Sequence, residues 1–438
     1  MAANLNQNRH NDPLWRSVIV QSTFPKNLQE LSTLANNLWW TWNYEAKELF
    51  QEIDEELWQK TQNPIAVLKG ISVERLNQLE KDQSFISRYN AVLKKYNAYM
   101  DVQPDPKTPR IAYFSMEYGL DDSLKIFSGG LGILAGDYLK EASDTNTNLV
   151  AVGFLYKYGY FKQTLSIDGD QMAIYNPQNQ SELPITPVID ANGNRVMIQV
   201  GMPGRLMHAQ IWLVKVGRVK LYLMDTDISE NRDDDKSCTH ALYGGDNENR
   251  LKQEMLLGIG GIRLLEAVGE KCEAFINLER LRKLIKHEDC SFPKALEIVR
   301  SSSLYTTHTP VPAGHDSFPE HLMMTYLGQF PERLKLSWNE FMNLGRMYPD
   351  NKDEFFSMSN FAICTSCGVN GVSRLHGEVS KKMFQNLWPG YSVEESHIGY
   401  VTNGVHYGTW TSKAWQQLHK ATFGEKFFTE TTPLAPRS

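Results

Sequence analysis

Apolar positions near the start of the chain recur every three or four residues: Leu28, Leu31, Leu34, Leu38 and Trp42, then Leu76, Leu79, Ile86, Tyr89 and Leu93. That spacing lines one face of a helix and predicts a helical region from about Pro25 to Met100. Pro104, Pro106 and Pro109 then stiffen and break the chain, a natural boundary. Beyond it the apolar positions form short continuous runs. Ile111 to Ser115 and Leu149 to Phe154 read as buried strands. Val196 to Val200, Ile211 to Val216 and Val219 to Met224 read as further strands, the last two joined by a turn at Gly217-Arg218. Helical spacing returns from Glu248 to Ala267, from Ala274 to Lys286 and from Glu354 to Ser366, with a strand from Ser303 to Thr307 leading into His308. Strands alternating with helices predict an α/β domain with a largely parallel sheet.

Composition narrows the function classes. A chain of 438 residues has room for two or three domains, and a formal net charge of −6 argues against a nucleic-acid partner. The most apolar helical stretch, Met255 to Leu265, is interrupted by Gly258, Gly260 and Gly261 and is too short to span a bilayer. Met1 to Trp15 has no apolar core of a secretion signal. Five cysteines in a chain of this length point to reduced thiols, hence a cytoplasmic setting, with no membrane partner. Cys364 and Cys367 form a CxxC without a second pair at zinc-like spacing, which favours ordinary packing over a metal.

Four segments carry candidate chemistry. The run Ser128-Gly-Gly-Leu-Gly-Ile-Leu-Ala-Gly136 follows a strand and opens a helix, where free N–H groups can meet an anion. As a dinucleotide fingerprint it fails, because the glycines do not directly follow the strand and no acidic strand end lies about twenty residues on. Tyr243-Gly-Gly-Asp-Asn-Glu-Asn-Arg250 is either a capped loop or a mobile gate over a polar ligand. His308 sits where a strand ends in a proline-stiffened loop, the place at which α/β sheets bind ligands. Asn370-Gly-Val-Ser-Arg374-Leu-His376-Gly-Glu378 joins a turn to charged groups, and a histidine there serves equally well as a structural hydrogen-bonder.

Taken in order, these segments resemble one family. Ala112 to Gly119, Ser128 to Asp137, Tyr156 to Gln163, Tyr243 to Asp246, Arg250 to Glu254, Thr306 to Asp316, Val369 to Glu378 and Val401 to His406 are similar to the successive signatures of the α-glucan (glycogen/maltodextrin) phosphorylases. The tryptophan-rich Leu34 to Trp42, with Asn63-Pro64, resembles the N-terminal extension of the short bacterial and archaeal branch. The resemblance implies the N-terminal Rossmann-like half of a GT-B glycosyltransferase, preceded by a helical extension. Its domains would be residues 1–105 (extension), 106–404 (glucan-side domain) and 405–438 (start of a truncated pyridoxal phosphate domain). It implies a cofactor, pyridoxal 5′-phosphate, and partners: an α-1,4-glucan, orthophosphate and a second copy in a homodimer. By the family pattern Gly130, Leu131 and Gly132 would face the phosphate through backbone N–H groups, and His308 would contact the sugar being cleaved. Asp246 and Asn247 would tip the gating loop, Arg374 and His376 would sit on the cleft wall, and Glu117 and Tyr118 would lie near the cofactor.

Two departures qualify that expectation. Between the helices near Leu265 and Phe275 the family has a strand ending in an Asn-Glu-Gly-His-type motif, and here Leu265-Glu-Ala-Val-Gly-Glu-Lys-Cys-Glu-Ala-Phe275 leaves no room for it. Losing a strand leaves its neighbours without ladder partners. Thr429 to Ser438 resembles the family poorly, and the Schiff-base lysine would lie beyond it. The reading is therefore a retaining phosphorylase, present as a fragment or disrupted copy and inactive alone, with a non-catalytic glucan-binding remnant as the alternative.

Overall fold

A computed structural model describes residues 24–272, 278–311, 314–424 and 427 of the chain. Residues 26–100 form successive short helices, as their spacing predicts, ending in the 18-residue helix Gln83–Met100. Caps explain the boundaries. Asn63 accepts N–H bonds from Ile65 and Ala66 with Pro64 at the first helical position, and Asp82 does the same for Ser84 and Phe85. Leu28, Leu31, Leu34, Leu38, Trp39 and Trp40 are buried in one core with the sheet that follows. Asn37 fixes the junction: its carbonyl accepts from Gly217 N–H at 2.8 Å and its amide donates to Gly217 O at 3.0 Å. Gly217 has φ +57°, and a Cβ there would lie 3.1 Å from the Tyr99 ring, so the hairpin turn needs glycine.

The main sheet has six strands and is mixed, which corrects the expectation of a largely parallel one. Ile111–Phe114, Leu149–Phe154 and Val219–Asp225 lie parallel. Arg205–Val216 then pairs antiparallel with Val219–Asp225, Met197–Met202 and Thr186–Pro187. The physical reason was available in the turn: a two-residue connection at 217–218 can only return antiparallel. The 149–154 strand is buried along its whole length, while 111–114 is half-buried.

A second sheet of three parallel strands, Leu304–Thr306, Gly368–Gly371 and Ile398–Tyr400, has its own small core of Ile363, Val369, Phe384 and Ile398. Among the described residues, Ile111–Phe114 pairs only with 149–154, and Leu304–Thr306 only with 368–371. One continuous sheet would need a strand between these two edges. The segment in question, residues 273–277, lies outside the described residues.

The predicted long helix runs from Asn247 to Ala267 but is interrupted by one π turn at Leu256–Gly260. Its glycines meet the sheet: a Cβ on Gly261 would lie 2.6 Å from the Phe114 ring, and one on Gly260 3.2 Å from Ile198 and Val200. The helix predicted from Ala274 is described from Leu278 to Glu288. The one predicted from Glu354 starts only at Met358, because Phe356–Ser357 forms a short strand with Ser317–Phe318 and Ser357 caps the helix. No helix of the described residues is long and apolar enough to cross a membrane. All five cysteines are free.

Candidate active site

The glycine run becomes the N-terminus of the helix Gly130–Asp144. Gly129 occupies the N-cap without a side-chain cap bond, so the first N–H groups of the helix point outward, unclaimed by any cap. A Cβ on Gly129 or Gly130 would meet nothing within 4 Å, so the chain leaves room beside the first turn of the helix. Gly130 and Leu131 are exposed and Gly132 is buried. The N-terminus of this fifteen-residue helix, uncapped by a side chain, carries the partial positive charge of the helix dipole.

Glu117 holds that turn in place. Its Oε2 accepts from Ser128 N–H at 2.8 Å and Gly129 N–H at 3.4 Å, and its Oε1 accepts from the Tyr243 hydroxyl at 2.6 Å. The side chain is buried, and a Cβ on Gly132 would lie 2.6 Å from Oε2, so glycine is required for this approach. Tyr118 is fully buried, with its hydroxyl donated toward Tyr113 O and Val152 O. The polar atoms of both residues are thus engaged within the chain.

The loop at residues 243–247 lies directly against this turn. Tyr243 has φ +57° and Gly245 φ +84°, Asp246 caps the next helix by accepting from Asn249 N–H, and Asn247 is its first residue. Asp246 and Asn247 are both exposed. From that helix Arg250 reaches across to the loop after His308, donating to Asp316 Oδ2 through Nε at 2.8 Å and Nη2 at 2.7 Å. Glu254 lies 3.4 Å from the same guanidinium. Burial, reinforced by the neighbouring Asp316 carboxylate, pushes the Glu254 carboxyl up to about 7 despite Arg250.

His308 follows the strand Leu304–Thr306, and His376 lies in the first turn of the helix Arg374–Met383 that follows the adjacent parallel strand Gly368–Gly371, the end of an α/β sheet where ligands bind. Burial holds the His308 imidazole below the ordinary histidine value, and His376 beside it acts in the same direction. A neutral imidazole is suited to hydrogen bonding with uncharged hydroxyls. His376 is 8% exposed, its Nδ1 accepts from Val372 N–H at 3.1 Å, and its Nε2 is buried without a partner among the described residues. Arg374, one helical position into the same helix, is exposed. His315 is committed to Ser359 and Thr309, and among the described residues no cluster could hold a metal.

The structure therefore joins the glycine turn to the 243–247 loop through Glu117 and Tyr243, and the helix after that loop to the His308 loop through Arg250 and Asp316. Sequence reasoning missed Tyr243, Arg250, Glu254 and Asp316 as a network. Tyr243 and Glu117 are 126 positions apart, and Arg250 and Asp316 are 66 apart, so no local pattern signals either pair.

Two sequence families match this chain: a protein of unknown function (DUF3417) over residues 24–124, and the carbohydrate phosphorylases over residues 273–435. The maltodextrin phosphorylase of Thermococcus litoralis is 42% identical over 408 residues, 89% of this chain and 48% of that protein. The glycogen phosphorylase of Mycobacterium tuberculosis is 38% identical over 93% of this chain and 51% of its own. That of Aquifex aeolicus is 38% identical over 90% of this chain and 58% of its own. The chain thus spans about half the length of the curated relatives it matches. These similarities show that the chain belongs to the α-glucan phosphorylase family.

Proposed function

We propose that this chain carries the glucan and phosphate side of an α-1,4-glucan phosphorylase, which cleaves a terminal glucosyl unit with orthophosphate and yields glucose 1-phosphate with retention. The observation that carries the reading is the uncapped, open N-terminus of the Gly130–Asp144 helix, held by Glu117 and tied through Tyr243 to the gate loop. A phosphate dianion beside a developing oxocarbenium ion needs oriented N–H donors in a water-poor cleft more than it needs a side-chain nucleophile. Gly130, Leu131 and Gly132 supply such donors. His308, kept neutral by burial, would bond a sugar hydroxyl, with His376 Nε2 and exposed Arg374 on the same wall. Asp246 and Asn247 would border the sugar from the gate.

In this reading residues 1–105 form a helical extension, 106–404 the Rossmann-like glucan-side half of a GT-B fold, and 405–438 the entry into the second half. The partners would be an α-glucan, orthophosphate and a second copy, in the cytoplasm. The cofactor would be pyridoxal 5′-phosphate, which when bound supplies a phosphate able to exchange a proton with the substrate phosphate. To the phosphate end of that group the residues present offer only the helix amides already assigned to the substrate phosphate. They offer less to its aldehyde: Lys140, the buried lysine of the same helix, donates to Leu120 O at 2.7 Å and Thr409 Oγ1 at 3.2 Å. Glu117 and Tyr118 would act on the site by shaping the turn and its packing.

A second reading, a non-catalytic glucan-binding remnant, is favoured by the two unpaired sheet edges at 111–114 and 304–306 among the described residues. Both readings expect the 438-residue chain, supplied with pyridoxal phosphate, maltoheptaose and orthophosphate, to release no glucose 1-phosphate in a coupled assay. Release above a blank without protein would overturn the half-site assignment.

A further inference from the structure

We propose that Tyr243 is a positioning residue, a latch that fixes the 243–247 loop to the Ser128–Gly132 turn through Glu117, so that gate and anion site close as one unit. The inference rests on the proposed function for what the site binds, but its geometry stands independently. Tyr243 is held at φ +57°, a region that costs a bulky residue free energy and persists only where the surroundings impose it. Three contacts impose it here. Its hydroxyl donates to Glu117 Oε1 at 2.6 Å, the Arg250 guanidinium lies 5.3 Å from its ring, and Asn249 Nδ2 donates to Gly244 O at 2.8 Å just behind it.

Glu117 is what makes the contact more than local. One carboxylate holds the gate with one oxygen and the backbone of the anion turn with the other, 2.8 Å from Ser128 N–H. A hydrogen bond to a charged acceptor is stronger than a neutral one, and the two bonds to one group orient each other. When the loop swings out, Tyr243 must leave Oε1, and Glu117 loses the restraint that aims Oε2 at the turn. Arg250 extends the latch toward the His308 loop, because the guanidinium beside the Tyr243 ring also holds Asp316.

Hydrogen exchange of the 438-residue chain, followed by mass spectrometry, tests this on Tyr243→Phe and Glu117→Gln. The phenylalanine keeps the ring and removes only the hydroxyl. Amides at 243–249 and, 126 positions away in the chain, those at 128–133 are expected to exchange about tenfold faster, with the rest unchanged. Glutamine keeps an acceptor for Ser128 N–H and a donor for the Tyr243 hydroxyl but loses the charge, so Glu117→Gln is expected to speed exchange at both places together, by less than Tyr243→Phe. Faster exchange in Tyr243→Phe confined to the loop, or no change at either place, would overturn the latch. Coupled exchange in a chain that binds no maltoheptaose would refute the proposed function and leave the latch standing.

Discussion

Gly136→Ala is expected to destabilise the chain by about 3 kcal/mol, seen as a lower urea midpoint at unchanged slope. In an exposed helix interior this substitution would help by nearly 1 kcal/mol, because alanine loses less backbone freedom on folding. Here packing overrides propensity. A Cβ on Gly136 would lie 2.6 Å from the Gly119 carbonyl carbon and 3.2 Å from Leu120 N, both backbone atoms that no rotamer change can move aside. Gly119 is held in turn, its N–H donating to Gly132 O at 2.6 Å and its own Cβ position 2.9 Å from Ile133 Cα. The helix and the 117–120 segment are therefore in backbone contact, which keeps Glu117 under the glycine turn. Gly130→Ala is the control: nothing lies within 4 Å of the added methyl group, so stability should stay within about 0.5 kcal/mol. Equal effects at the two positions would contradict the packing.

Arg250→Ala carries the second large effect, about 2–3 kcal/mol, discounted for partial exposure from the cost of stripping one partner from a buried charge cluster. Arg250, Glu254 and Asp316 side chains are 21%, 19% and 32% exposed. Without the guanidinium the two carboxylates face each other in a poorly hydrated site. The loss should depend on pH. In the wild-type chain burial lifts Glu254 to about 7 from the ordinary glutamate value of about 4.5. A raised folded value means that the folded state binds the proton more tightly. The stabilisation from this group is then full below the unfolded value of about 4.5 and is lost as pH rises through about 7. Removing Arg250 removes the one charge opposing protonation, so the decline should move to higher pH. Glu254→Gln should flatten the decline in both backgrounds. Urea midpoints of the four variants between about pH 5 and about pH 8 read all of this. An Arg250→Ala chain within 0.5 kcal/mol of wild type across that range would contradict the network.

What the sequence made legible follows from how local each signal is. The leucine and tryptophan spacing at Leu28 to Trp42 marked a buried helical face, and that face is buried. The runs at 111–115 and 149–154 marked strands, and His308 was expected just past the strand at 303–307, whereas the strand Gly368–Gly371 before His376 was not foreseen. The antiparallel half of the main sheet was misjudged although Gly217-Arg218 announced it, because alternation of strands and helices was weighed above one turn. The helix expected from Glu354 begins four residues later, where Ser357 supplies the cap. The networks through Glu117 and Arg250 could not be read in advance. They join residues far apart in sequence, and neither a buried glutamate nor an arginine on a polar helix declares its partner.

The central claim is that this fold presents a glucan site at the ends of the 304–306 and 368–371 strands. A calorimetric titration of the 438-residue chain with maltoheptaose tests it most directly, run beside His308→Ala. Saturable binding that weakens about tenfold or more in His308→Ala, with the urea midpoint unchanged, is the result the account predicts. No binding in the wild-type chain, or equal binding in both, would contradict it.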